Sequence, residues 1–243
     1  RLLMRGEYQG LRWNTLDKVL IAYVISAGAI YTLRFGTSGA LISRLGVAFD
    51  AFGMYFIFRC LIRDWADVDR IVAGTIALAV PVAMFFGYEW LTQRNLFSVF
   101  GGVPEITDVR EGRLRCQGAF SHPILAGCFW AALMPLFAAY WWKGGNAKLW
   151  SVVGVLAALF IVFTCASSTP VLGVLAAVLG GLAYYVRHHL RQIRWSIVFG
   201  LVGLHIVMKA PVWHLVSRVS AVGGSTGHHR YVLINGAITH FSE

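Results

Sequence analysis

The chain has 243 residues, of which 58% are hydrophobic and only 13% are charged, and its mean hydropathy is +0.65. A globular protein carries about twice that charged share, so the composition excludes a soluble domain and requires lipid as the solvent. The net charge of +10 would suggest nucleic acid as the partner of a soluble protein. Here the cations stand between long apolar runs, which favours anionic lipid or a lipid-linked anion, and no nucleic acid.

Seven apolar runs follow one another along the chain. A transmembrane helix needs about 20 mainly apolar residues, and about 17 suffice. The runs cover residues 19–34, 45–62, 71–88, 119–142, 149–166, 167–186 and 195–210. The sequence therefore predicts an all-α fold, a polytopic transmembrane helical bundle of about seven spans. We expect a single transmembrane domain, 1–243, whose outer-face loops carry short interfacial helices.

The loops divide Lys and Arg unevenly between the two faces of the membrane. The excess falls on the side of the N-terminus, which the positive-inside rule makes cytoplasmic. Segments 88–118 and 211–243 then face outward, and Trp213 with its apolar neighbours predicts an interfacial helix in the second. The chain begins with Arg1 and ends at HFSE in mid-pattern, so we expect a piece of a longer protein.

Two segments carry chemistry-bearing side chains. The first, RCQGAFSHPILAG at residues 115–127, leads from an outer loop into the fourth run. Its Pro123 and Gly118 suit a plain helix start, whereas its arginine suits an anion site. The second, GGSTGHHRYVLINGAI at residues 223–238, places Arg230 after a glycine-rich turn. Such a turn with a guanidinium can cradle a phosphate, and an exposed turn with one solvated arginine is the alternative.

These two segments resemble a known family. The pattern R-x-x-G-x-F-x-H-P, present here as Arg115, Gly118, Phe120, His122 and Pro123, resembles the signature of the O-antigen ligase and O-antigen polymerase superfamily. Gly227, His228 and Arg230, before an apolar helix, resemble the second arginine motif of that family. Many members carry a Ser-Arg pair in the hairpin between the motifs. This chain has Ser167 and Ser168 there and lacks that arginine. The resemblance covers roughly residues 60–243.

The resemblance implies a glycosyltransferase of polysaccharide biosynthesis in the bacterial inner membrane. It would move a glycan from an undecaprenyl diphosphate carrier to an acceptor glycan or lipid-linked sugar at the outer face, among membrane lipids and with no cofactor or metal. The implied diphosphate-binding residues are Arg115 and Arg230, with Arg113, Gly118, His122 and His229 as weaker candidates. The catalytic base of the family lies further downstream than His240, so we expect it beyond Glu243 and expect this piece alone to be inactive.

Two other functional classes stay open. A transporter or flippase for a lipid-linked or anionic substrate would use intramembrane charge, and Asp50 falls inside a predicted span. Pairing of Asp50 with Arg44, or exposure of Asp50 to water, is the structural alternative. A non-catalytic scaffold would use its outer arginines only to meet lipid phosphates. The four cysteines lack CxxC spacing, which predicts apolar filler and neither a disulfide framework nor a metal site.

Overall fold

The structure, a computed structural model, describes residues 13–110, 112–208, 212–215 and 226–239, with the side chains of residues 212 and 226–230 outside that description. The helices in this part are α1 (Thr15–Phe35), α2 (Ser38–Leu61), α3 (Trp65–Thr92), α4 (Pro123–Ala139), α5 (Ala147–Thr164), α6 (Ser168–Tyr185), α7 (Leu190–Val207) and α8 (Thr226–Thr239). Short 3-10 helices cover Leu96–Phe100, Tyr140–Lys143, Arg187–His189 and Val212–His214. Strand β1 (Val109–Arg110) pairs antiparallel with β2 (Arg113–Leu114).

Helices α1 to α7 form candidate spans that are long and apolar enough to cross a membrane. This confirms the predicted all-α fold and makes the chain a multi-pass membrane protein. Many of their large apolar side chains are exposed, as expected of helices whose outer faces meet lipid. The longest, α3, has 28 residues and is about 42 Å long. Because the hydrocarbon core is about 30 Å thick, an end of α3 reaches the interface.

The helices begin where capping side chains place them and not where the apolar runs begin. Helix α2 starts at Ser38, before the run predicted at 45–62, because the Thr37 hydroxyl accepts from the Ala40 N–H at 3.2 Å. Helix α3 starts at Trp65, inside the polar break before the third run. There the Asp64 carboxylate accepts from the Asp67 N–H at 2.8 Å. The fourth helix starts at Pro123, later than the predicted 119. Hydropathy therefore locates the spans but not their ends.

The chain divides into two compact units, Arg1–Ile71 and Val72–Glu243. In the first unit α1 and α2 pack as a hairpin, and a buried Asp17 ties them together. The Tyr55 hydroxyl donates to Asp17 Oδ1 at 2.5 Å, and Arg59 Nη2 donates to Oδ2 at 3.3 Å. Asp17 also closes a capping box with Asn14 at the start of α1. This cluster fixes the register of the two helices.

In the second unit α4 packs against both α5 and α6. Glycines allow the close approach: a Cβ on Gly127 would lie 2.4 Å from Pro170 Cγ, and one on Gly154 would lie 2.8 Å from Ile76 Cγ1. Short connections join α4 to α5 and α5 to α6, so successive helices run antiparallel. The starts of α4 and α6 therefore lie at the same end of the bundle.

Candidate functional site

The segment between α3 and α4 is held in place by one buried acid. Glu89, in the last turn of α3, is almost fully buried. Its Oε1 accepts hydrogen bonds from the Thr107 hydroxyl at 2.9 Å and the Gln117 N–H at 3.1 Å, and its Oε2 accepts from the Gly118 N–H at 2.9 Å. Three donors from two separate parts of the segment, Thr107 and the Gln117–Gly118 pair, thus converge on one carboxyl group, which offsets the cost of burying it.

Gly118 occupies a turn that only glycine fits. Its φ is +56°, in the left-handed region, and a Cβ there would lie 2.4 Å from Phe86 Cε2. Its N–H donates to Glu89, and its carbonyl accepts from Asn95 Nδ2 at 2.7 Å. Because both backbone groups are engaged inside the protein, Gly118 shapes the segment and has no free N–H for a ligand.

The hairpin of β1 and β2 leads the chain to the end of α5. After β2, the Arg115 N–H donates to the Asp108 carbonyl at 3.0 Å and extends the pairing by one residue. The Cys116 N–H then donates to the Thr164 carbonyl, the last residue of α5, at 3.1 Å. These two bonds fix Arg115 between the hairpin and the end of α5.

Arg115 and Gln117 are buried donors that lack acceptors. Arg115 is only 7% exposed, and no residue in the described part of the chain accepts a hydrogen bond from its guanidinium or forms an ion pair with it. Nε2 of the buried Gln117 also has no acceptor there. For Gln117 Nε2, which is fully buried, an unsatisfied donor costs about 1–3 kcal/mol. The guanidinium nitrogens of Arg115 are not fully buried, so they reach solvent at the tip of an otherwise buried side chain. Both groups are therefore ready to receive acceptor atoms from a ligand.

Two helix N-termini and a histidine lie near the segment that carries Arg115, and so do two acids, Glu89 and Asp108. The contact of Gly127 with Pro170 brings the starts of α4 and α6 together, and helix N-termini carry partial positive charge. His122 is exposed and caps α4, since its Nδ1 accepts from the Ile124 N–H at 3.1 Å. A neutral His122 ring then carries its hydrogen on Nε2, where it can donate outward. From Gly112 to Ser242 the sequence contains no Asp or Glu. The arrangement favours an anion.

The thiols near Arg115 are not suited to nucleophilic chemistry. Burial raises the pKa of the Cys116 thiol to about 12, and the charge of Glu89 raises it further. Burial likewise raises the pKa of Cys165, aided by Cys116 and Glu89 and opposed by the positive charge of Arg115. Both thiols stay protonated at neutral pH and fill apolar space. The electrostatic effect of Arg115 on Cys165 also places the guanidinium near the α5–α6 turn.

Four of the predicted site residues lie on one continuous segment. Arg113 is exposed on β2, opposite Arg110 in register, and it is followed by Arg115, Gly118 and His122. The other two, Arg230 and His229, belong to the first turns of α8, and their side chains lie outside the described residues.

Glu89 and Gln117 are not among the site residues that the sequence predicts. Glu89 stands just past the third apolar run, between Tyr88 and Trp90. An acid between two aromatic residues at the end of a span is the signal that could have drawn notice to it.

No protein-family model matches the chain, and neither a curated protein nor a solved structure matches it. Function is therefore argued from the geometry around Arg115.

Proposed function

We propose that this chain belongs to a transferase of the O-antigen ligase and polymerase type. It would move a glycan from an undecaprenyl diphosphate carrier to an acceptor sugar at the outer face of a bacterial inner membrane. The observation that carries the proposal is Arg115, whose side chain is largely buried and whose guanidinium lacks an acceptor among the described residues. A diphosphate offers the acceptor atoms that this group needs, and arginine pairs with phosphate oxygens bidentately.

The burial of Arg115 argues for a specific anion and against casual contact with bilayer headgroups. Arginines that only meet the surface phosphates of a membrane stay exposed, as Arg113 is. Arg115 instead is largely buried where the chain passes from the hairpin to the end of α5, beside helices with apolar outer faces. A ligand with a charged diphosphate head and a prenyl tail matches this combination of a buried cation and an apolar bundle.

The chemistry expected of the site is stabilisation of a leaving group. The acceptor hydroxyl oxygen forms a bond to the anomeric carbon of the donor glycan, the bond from that carbon to the carrier diphosphate breaks, and a base takes the hydroxyl proton. Arg115 would neutralise the charge that develops on the departing diphosphate. Arg230 is expected to provide the second contact to the diphosphate.

The proposal is tested by the affinity of the chain, held in lipid nanodiscs, for undecaprenyl diphosphate. Arg115→Ala should weaken binding at least about thirtyfold, since removing one partner of a buried charge pair costs 2–5 kcal/mol or more. Arg94→Ala is the matched control, because Arg94 is exposed and paired with Glu105 at 3.9 Å. The affinity of the Arg115→Lys variant should lie between those of the other two variants, because lysine keeps the charge but lacks the planar guanidinium that pairs bidentately with phosphate.

A second readout separates a ligand site from a structural role. In the absence of carrier, Arg115→Met should not lower the melting temperature, because the Arg115 side chain makes no hydrogen bond or ion pair in the described part of the chain and methionine keeps the apolar stem. In cells, Arg115→Ala should abolish glycan transfer and leave membrane insertion intact. Equal carrier affinity of the Arg115→Ala and Arg94→Ala variants would refute the proposal.

Transport of a lipid-linked or anionic substrate is the second candidate, and one observation favours it. Asp50 lies midway along α2 and is exposed, and none of the residues that the structure describes bonds to it. The predicted pairing with Arg44 is absent among them, since the Arg44 guanidinium lies 3.6 Å from the Tyr31 ring centre. A charged residue inside a span is typical of transport pathways. Flux of undecaprenyl diphosphate across proteoliposomes that Asp50→Asn abolishes would favour this function.

A further inference from the structure

A cavity of about 730 Å³ lies between the end of α3, the β1–β2 hairpin and the turn from α5 to α6. Its volume is within the range of about 300–1,000 Å³ that is usual for small-molecule sites. The lining combines apolar and aromatic side chains with a few polar ones, and Trp90, Gln93, Arg113 and Ser167 are the members that the inference uses.

Trp90 provides an aromatic wall. It is 44% exposed, and its ring meets that of Phe163 edge to face with 6.5 Å between the ring centres. A partly exposed indole at a cavity wall has an apolar body and a single N–H donor. The C–H groups on one face of a sugar ring pack against such a surface, while the hydroxyls of the ring point outward to polar neighbours.

Polar side chains without protein partners complete the lining. Ser167 is only 7% exposed, occupies the N-cap position of α6, and makes no hydrogen bond through its hydroxyl within the described part of the chain. That hydroxyl is not fully buried, so it reaches the cavity. Gln93 and Arg113 are exposed, and their side chains likewise make no hydrogen bond there. Three polar side chains are therefore available to a ligand in this cavity.

Backbone strain is concentrated at the same place. Among the residues that the structure describes, only Gln93 and Ala166 have a positive φ without being glycine, at +60° and +43°. Both line the cavity. Such conformations persist where the surrounding structure holds them, and they cluster at ligand sites. The strain and the unpartnered polar groups are independent observations that mark one location.

We infer that this cavity binds a sugar ring, which stacks on Trp90 and receives hydrogen bonds from Gln93, Ser167 and Arg113. A prenyl chain fits less well. The cavity touches α5 only near its end, at Val162 and Phe163, and α6 only near its start, at Val171, and does not run along the spans. The sugar would belong either to the carrier-linked donor or to the acceptor, so this inference rests on the proposed function.

The test compares carriers with and without a sugar. The chain in nanodiscs is titrated with undecaprenyl diphosphate alone, and with the same lipid bearing N-acetylglucosamine, galactose or glucose. Trp90→Ala should weaken binding of at least one sugar-bearing ligand, carrier-linked or free, about tenfold and leave binding of the bare carrier unchanged. Trp90→Phe should retain most of the affinity. Trp150→Ala is the control, because Trp150 is also 44% exposed and does not line the cavity.

A glycine at position 93 removes the Gln93 side chain and is compatible with the backbone conformation there. Gln93→Gly removes the amide and suits φ +60°, so it should raise the melting temperature while it weakens sugar binding. The same titrations with free oligosaccharides of these sugars distinguish the sources. If Trp90→Ala affects only the free oligosaccharide, the cavity holds the acceptor. If it affects the carrier-linked sugar, the cavity holds the donor.

Unchanged affinity for every sugar-bearing ligand in both Trp90→Ala and Gln93→Gly would overturn the inference. The proposed function fails separately, if Arg115→Ala leaves binding of the bare carrier unchanged.

Discussion

Replacing Gly118 by alanine tests whether the turn before α4 is built as the geometry indicates. The φ of +56° costs a residue with a Cβ about 1–2 kcal/mol. The new methyl group would lie 2.4 Å from Cε2 and 2.8 Å from Cζ of Phe86, which is fully buried, and overpacking of this kind costs about 1–3 kcal/mol. Gly118→Ala should therefore lower the free energy of unfolding by about 2–5 kcal/mol.

Equilibrium unfolding in mixed detergent micelles measures this loss, and two variants divide it into its parts. Gly102→Ala carries only the backbone cost, because Gly102 has φ +78° and nothing within 4 Å of the position of a Cβ. Phe86→Leu removes the ring atoms that the methyl would meet, so Gly118→Ala in that background should cost about as much as Gly102→Ala. If Gly118→Ala in the native background costs no more than Gly102→Ala, the reasoning is wrong.

Three further changes probe the same end of the bundle. Glu89→Gln should lower the free energy of unfolding by about 1.5–3 kcal/mol in the same assay, because an amide cannot accept from all three donors now on the carboxyl group; a neutral outcome would contradict this. Gly127→Ala should lower the free energy of unfolding by about 1–3 kcal/mol, because its methyl group would meet Pro170. Gly181→Ala should leave this free energy unchanged or raise it, because the space around Gly181 is open. Cys116 should resist maleimide at pH 8 until the protein is unfolded, which mass spectrometry of labelled peptides detects. Because folding raises the pKa of this thiol from 9.0 to about 12, stability should be constant below pH 9 and fall as the pH rises from there towards 12.

Much of the fold could be predicted from the sequence, because lipid as a solvent imposes a simple rule. Every span must be an apolar helix of sufficient length, so counting apolar runs gives the seven helices. The ends of the helices follow a different rule, since capping hydrogen bonds select them. Asp64 and Asp67, for example, begin α3 inside a polar segment that hydropathy reads as a break between spans.

The site could be predicted only in part. The motif drew attention to Arg115, but its burial without an acceptor in the described part of the chain depends on the hairpin and on α5, which are remote in sequence. Glu89 has only a weak local pattern, its place between Tyr88 and Trp90 at the end of a span. Its donors belong to Thr107, Gln117 and Gly118, which are remote from Glu89 in sequence. The residues around Glu89 therefore do not predict these three hydrogen bonds.

The motif itself divides into residues that build the site and a residue that is free to bind. Gly118 makes the turn against Phe86, Phe120 packs on Phe129 with 5.4 Å between ring centres, and His122 caps α4. Arg115 alone among them is buried without such a structural partner in the described part of the chain.

This division of roles has a measurable consequence. Gly118→Ala and Arg115→Ala should both lower affinity for undecaprenyl diphosphate, the first because Arg115 is displaced and the second because it is missing. Adding Phe86→Leu relieves the contact at residue 118 and should restore affinity to the Gly118→Ala variant. The same addition cannot restore a guanidinium, so the Arg115→Ala variant should stay weak. If Phe86→Leu restores carrier affinity to both variants, or to neither, then Gly118 does not position Arg115 and Arg115 does not bind the carrier in the way proposed.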